Sequence, residues 1–183
     1  MRCFAALELP ASVRRACAQA AAPLRTLGTV TWVAELQIHV TLRFLGEIDP
    51  RTADKLAAVV QGPWPAMSLS VQGLGQFPKR GSPRVLWAGL RGDVAALAAI
   101  AQRIDEVAVQ LGLPPEERAF HPHVTLGRCK SPFGGARLER AVREHGDTAV
   151  AAPFAAERVV LYHSELRPEG PVYRELAAGR CGR

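Results

Sequence analysis

The tetrapeptide His39-Val40-Thr41-Leu42 recurs as His123-Val124-Thr125-Leu126, 84 residues further along the chain. Side chains alternate faces on a strand, so each copy, if extended, turns a histidine and a threonine to one side and two aliphatics to the other. An imidazole titrates near neutral pH and can act as base in one ring and acid in another. Each such proton transfer is typically worth about 10²–10⁴ in rate. Threonine hydroxyls can donate to the non-bridging oxygens of a phosphodiester and stabilise the charge that grows there. The chemistry open to this set is attack of water on phosphorus, one histidine deprotonating the water and the other protonating the departing ribose oxygen, with no metal. The residue types alone do not say which histidine takes which part. One copy by itself is an ordinary half-buried strand; the second copy sets the pair apart.

These residues need strands to carry them. Arg2–Leu9, Thr29–Val33, Ile38–Gly46, Met67–Leu74, Pro83–Leu90 and Phe120–Arg128 read as strands, followed by a final pair, Phe154–Ser164 and Val172–Ala177. Apolar spacing from Ser12 predicts a helix that Pro23 shortens, with Gly28 past its end. Asp49–Pro50 starts a helix running to about Val60, Asp93 caps a long one over Val94–Leu111, and a fourth lies near Ala136–Glu144. Helices and strands alternate while hairpin-like strand pairs recur. This predicts an α+β fold with antiparallel sheets, one domain over residues 1–183 built from two pseudo-equivalent lobes.

The 183 residues suffice for a substantial core, and 48% hydrophobic with 22% charged residues is an ordinary soluble composition. No apolar run reaches the roughly 20 residues of a membrane span. The opening MRCFAALELP is too short, and too soon interrupted by Glu8 and Pro10, for a signal peptide. Cys3, Cys17, Cys129 and Cys181 form no metal-binding or redox spacing, so a cytoplasmic location with reduced thiols is expected. The net charge of +6 is almost all arginine, which suits bidentate phosphate contact. The loop Gly75–Ser82, GQFPKRGS, and its flank to Arg84 form an exposed basic candidate for contact with RNA.

The stretches RCFAALELP, IHVTLRFLGEI, GQFPKRGSPRVLWAGL, LGLPPEERAFHPHVTLGR and VVLYHSEL, in that order, resemble the two-histidine (2H) phosphoesterase superfamily. Within it they resemble the RNA 2′,3′-cyclic phosphodiesterase family, also called 2′-5′ RNA ligase. The resemblance implies two lobes whose sheets and flanking helices surround a central cleft, with the two His-x-Thr-x strands facing across it. It implies hydrolysis of RNA 2′,3′-cyclic phosphate ends to 2′-phosphates, with His39 as proton donor and His123 as proton acceptor. The implied partners are RNA ends or tRNA halves carrying the cyclic phosphate, met by a monomer without cofactor. The alternatives are 2′-5′ ligation as the main role, another cyclic phosphate as substrate, or a module that binds RNA ends without turnover.

Further candidates follow from placement. Arg43 is two residues on from Thr41 and so shares its face by strict alternation; Arg128 follows the second motif, and His121 precedes His123 by two. Each is a candidate phosphate contact. Phe4, Phe44, Trp32 and Phe120 lie in or near the motif strands and are candidates for base stacking, with Tyr162 and Ser164 lining the cleft from a terminal strand. His121, His123 and His39 could also be imagined as zinc ligands, but no fourth ligand lies near in sequence, and no metal is expected.

Overall fold

The computed structural model describes residues 1–168 and 170–182. Among them the chain forms nine strands and four α-helices: β1 Arg2–Glu8, α1 Ala11–Ala20, β2 Val30–Trp32, β3 His39–Glu47, α2 Pro50–Val60, β4 Ser68–Phe77, β5 Val85–Gly92, α3 Val94–Gln110, β6 His123–Cys129, α4 Gly135–Glu144, β7 Ala149–Ala155, β8 Arg158–Arg167 and β9 Gly170–Arg180. The strands make one antiparallel sheet in the order β7-β4-β5-β6-β3-β1-β8-β9, with β2 also on β6. The fold is α+β.

The middle of this sheet is its narrowest join. Strands β3 and β6 meet at a single pair, Val40 opposite Val124. Beyond it β6 takes β2 as its neighbour at Gly127–Cys129, and β3 continues against β1 alone. The sheet therefore divides here into halves of β1, β3, β8 and β9 on one side and β2, β4, β5, β6 and β7 on the other. Each half lends a helix to the other: α1 follows β1 but packs on β6 and β7, and α3 follows β5 but packs on β3. Helices α2 and α4 stay with their own halves, on β8–β9 and on β4.

Local chemistry accounts for the helix starts. Asp49 Oδ1 accepts from the Arg51 and Thr52 amides ahead of Pro50, as an N-cap does. Asp93 stands at the N-cap of α3, yet its carboxylate accepts from the Ser68 amide, pinning the start of β4 to the helix. The core runs through both halves and includes Leu7, Val40, Leu86, Leu97, Val124 and Leu161, all fully buried.

Two elements differ from the sequence reading. Phe154–Ser164 is not one strand: the chain breaks at Ala156–Glu157, and β7 and β8 go to opposite halves of the sheet, β7 to the edge on β4 and β8 between β1 and β9. Buried Ala156, its amide donating to the Met67 carbonyl, makes the turn-off point, and an apolar run gives no sign of such a break. Strand β6 starts at His123, so His121 and Pro122 lie before the strand and not on its face.

Candidate active site

The pairing of Val40 with Val124 decides where the histidines go. Both valines are fully buried, so their neighbours point to the other, concave face of the sheet. By this antiparallel register Thr41 lies opposite His123 and His39 opposite Thr125. The two histidines are then diagonal neighbours on one face, about 7–8 Å apart along the backbone and somewhat closer at Cβ. That spacing leaves room for one phosphate group between the ring tips.

Each ring is held by its own backbone. His39 Nδ1 lies 2.7 Å from the Gln37 carbonyl, and His123 Nδ1 lies 2.6 Å from the His121 carbonyl. A carbonyl oxygen can only accept, so in both rings Nδ1 carries the hydrogen, and Nε2 holds the lone pair in the neutral form. The residue two positions upstream does the same work in each half. Thr41 Oγ1 lies 3.0 Å from His39 Nε2, to which its hydroxyl donates when the ring is neutral.

Both imidazoles are pushed below the ordinary histidine value of 6.5. Burial is the main cause for His39, helped by the positive fields of Arg128 and His123 against the Gln37 hydrogen bond. Burial also leads for His123, with His121 and Arg128 adding to it. Arg128 thus sits close enough to bear on both rings.

Two matching β-bulges explain why Arg128 faces the cleft and Arg43 does not. Against β1, β3 pairs Ala5 with Arg43 and Ala6 with Thr41, so Leu42 is skipped. Against β5, β6 pairs Leu86 with Gly127 and Trp87 with Thr125, so Leu126 is skipped. An extra residue reverses the alternation beyond it. Leu42 and Arg43 are both buried and Phe44 emerges; Leu126 and Gly127 are both buried and Arg128 emerges. Arg43, expected beside His39 and Thr41, instead lies 8% exposed on the core side. It is 2.6 Å from Asp105 and 3.7 Å from Glu116, and donates to the Phe44 and Pro114 carbonyls. Strict alternation places it wrongly.

Aromatic rings wall the His39 side. Phe4 lies with its ring centre 5.0 Å from His39, 5.3 Å from Tyr162 and 6.3 Å from Phe44, which is half exposed. Tyr173, 5.6 Å edge-on to His39, completes the wall and is absent from the candidates read from the sequence. Its signal is there, since the strand that carries it reads as the hairpin partner of the strand that carries Tyr162. Burial pushes the Tyr162 hydroxyl up to about 12, so it stays a hydrogen-bond donor throughout the neutral range. Together with Glu8, Arg14 and Gln37, the two tyrosines and His39 enclose a small cavity of about 190 Å³.

On the other side, Phe77 and Trp87 lie 5.2 and 6.2 Å from His123, and exposed His121 lies 6.0 Å away; the sequence reading does not anticipate the two aromatics. Trp32 and Phe120 pack against the core, Trp32 with Arg25 over its ring. Ser164 is buried. Among the described residues no three His, Cys, Asp or Glu side chains gather as a metal site. No described helix is long and apolar enough to cross a membrane.

Two His-Val-Thr-Leu strands meeting at the centre of a curled antiparallel sheet, with backbone-anchored imidazoles on its open face, is the arrangement of a two-histidine phosphoesterase. The chain belongs to the 2′-5′ RNA ligase superfamily, whose family model matches residues 9–167. A protein of Aeropyrum pernix named RNA 2′,3′-cyclic phosphodiesterase is 32% identical over 180 residues, covering 94% of this chain and 97% of its own. One of Thermotoga maritima with the same name is 32% identical, covering 96% and 93%. The crystal structure of TT0787 of Thermus thermophilus superposes with a TM-score of 0.81 at 28% identity, covering 98% of this chain and 97% of that one. Apo LigT of E. coli gives 0.74 at 25% identity, covering 100% and 98%.

Proposed function

We propose that the protein, with residues 1–183 acting as one unit, opens 2′,3′-cyclic phosphates at RNA ends to 2′-phosphates without a metal. The observation that carries this reading is the Val40–Val124 pairing, which turns two Nδ1-anchored imidazoles to one face and leaves each Nε2 for proton transfer, that of His39 once Thr41 lets go of it. The names of the relatives agree with the substrate.

In the reaction, His123 Nε2 takes a proton from water as its oxygen bonds to phosphorus. The bond from phosphorus to O3′ breaks, and protonated His39 gives its Nε2 proton to that oxygen. The product keeps the phosphate on O2′. His39 must first be charged, and its lowered affinity for protons in the empty cleft looks unfavourable. The bound phosphate anion reverses this, because an opposite charge a few ångströms away favours the imidazolium. The same anion frees Thr41 from His39 to donate to a non-bridging oxygen, with Thr125 placed to do so from the facing strand. Arg128 supplies positive charge to the pentacoordinate state, and the Phe44 and Tyr162 rings receive the terminal base; Phe4, a stacking candidate in the sequence, is 4% exposed and backs those rings from beneath.

The test is turnover of an RNA with a 2′,3′-cyclic phosphate end in excess EDTA, by wild type and by His39→Ala and His123→Ala. Release of a 2′-phosphate by wild type, lowered at least 10³-fold in each variant, is expected. Turnover abolished by the chelator, or retained in both variants, refutes the mechanism. Binding of the end with no product formed would leave a recognition module.

A further inference from the structure

Strand β5 carries the open face of the sheet past His123. Gly89 lies opposite His123, Trp87 opposite Thr125 on β6, and Gly75 of β4 opposite Trp87. By strand alternation Arg91 follows on the same face. The two glycines leave this part of the sheet without side chains. A Cβ on Gly75 would stand 2.1 Å from the Trp87 ring, so the indole lies across that glycine. A Cβ on Gly89 would come within 2.9 Å of the Gln72 carbonyl oxygen. Above them opens a cavity of about 750 Å³, four times the size of the one at His39 and within the range of small-ligand sites.

Its lining has the chemistry of a nucleotide site. Lys79, Arg80, Arg91 and Arg143 stand around it against one carboxylate, Glu139. His121, 4.9 Å from Trp87 and 5.4 Å from Phe77, gives an aromatic rim at the end nearest the reacting histidines. The Trp87 indole N–H is buried at this wall and has no acceptor among the described residues. Positive charge for a phosphate and rings for a base lie together, next to His123 and outside the set proposed to perform the reaction.

We propose that this cavity binds a second nucleotide of RNA, one that does not carry the cyclic phosphate. The proposal rests on the function above. The nucleotide belongs either to the substrate strand upstream of its cyclic end or to a separate strand whose 5′-hydroxyl replaces the attacking water, and both offer the same phosphate and base.

Affinity decides the site independently of turnover. A fluorescent single-stranded hexanucleotide with an ordinary 3′-hydroxyl is titrated against wild type and the Arg91→Ala/Arg143→Ala double variant over a range of salt. The site requires the variant to bind at least tenfold more weakly, with a salt slope shallower by about 0.7 for each phosphate that the variant no longer holds. Equal affinity and slope overturn it. Two turnover arms then assign the strand. A trinucleotide cyclic phosphate favoured about tenfold over the mononucleotide by wild type, and no longer by the variant, places the upstream nucleotide there. Joining of the mononucleotide to a 5′-hydroxyl oligonucleotide, abolished in the variant, places the other strand there. Wild type inert on every cyclic phosphate sinks the proposed reaction and leaves the cavity to the affinity result.

Discussion

Asp105→Ala separates two roles for Arg43, a phosphate contact or a clamp beneath the cleft. The guanidinium is 8% exposed and its nearest carboxylate is Asp105 at 2.6 Å, with Glu116 further off at 3.7 Å. Removing one partner of a buried ion pair costs about 3–5 kcal/mol, because the remaining charge is left without its counter-ion. The lower end applies here, since Asp105 is itself 24% exposed and Arg43 keeps Glu116 and the Phe44 and Pro114 carbonyls. Asp105 also accepts from the Glu116 amide, and the substitution removes that bond too. At about 3 kcal/mol, and about 2–4 °C per kcal/mol for a domain of this size, the melting temperature falls by about 6–12 °C. Arg43→Met, which removes the charge and keeps most of the volume, costs less, about 1–2 kcal/mol, because the more exposed carboxylates regain water. Thermal melts and cyclic phosphate turnover at 25 °C are read on both variants. Both lose stability and keep kcat/KM within about threefold of wild type. An Arg43→Met protein as stable as wild type but about a hundredfold slower would put the guanidinium in the reaction and refute the bulge argument.

The two histidines, both shifted below 6.5, give kcat/KM a bell-shaped pH profile centred below 6.5, and anion binding moves the kcat profile upward; a kcat/KM profile centred well above 7 contradicts this. The same rings affect folding: unfolded they bind protons more readily, so stability is highest above pH 6.5 and falls as pH drops through 6.5 towards the folded values, read as a lower urea midpoint at pH 5 than at pH 7.5. Arg128→Ala removes a positive field from both imidazoles, so their NMR titrations move up towards 6.5 while KM rises; unmoved titrations would place Arg128 away from the cleft. Gly75→Ala drives a methyl into the Trp87 ring and costs about 1–3 kcal/mol, with a change in tryptophan emission; a neutral substitution would show that the indole does not rest there.

The repeated tetrapeptide makes the centre of the site legible, because strand alternation is a short-range rule and both copies obey it up to Leu42 and Leu126. It fails one residue later. A bulge is set by how β3 fits β1, and β6 fits β5, and nothing in a run such as Leu42-Arg43-Phe44 shows which residue the partner strand will skip. The helices are legible from Pro50, Asp49 and the apolar spacing of α3, whereas their exchange between halves is not, since packing across the sheet leaves no local pattern. Trp87 and Phe77 read in sequence only as parts of a strand and a loop. Their place beside His123 depends on β5 lying next to β6, a pairing between segments some 40 residues apart.

A structure of the protein with a nucleoside 2′-phosphate bound tests the central claim most directly. One phosphate lying between the rings, its oxygens within about 3 Å of both His39 Nε2 and His123 Nε2 and in contact with Thr41 and Thr125, is the expected result. A phosphate touching only one imidazole, or seated away from both, contradicts it.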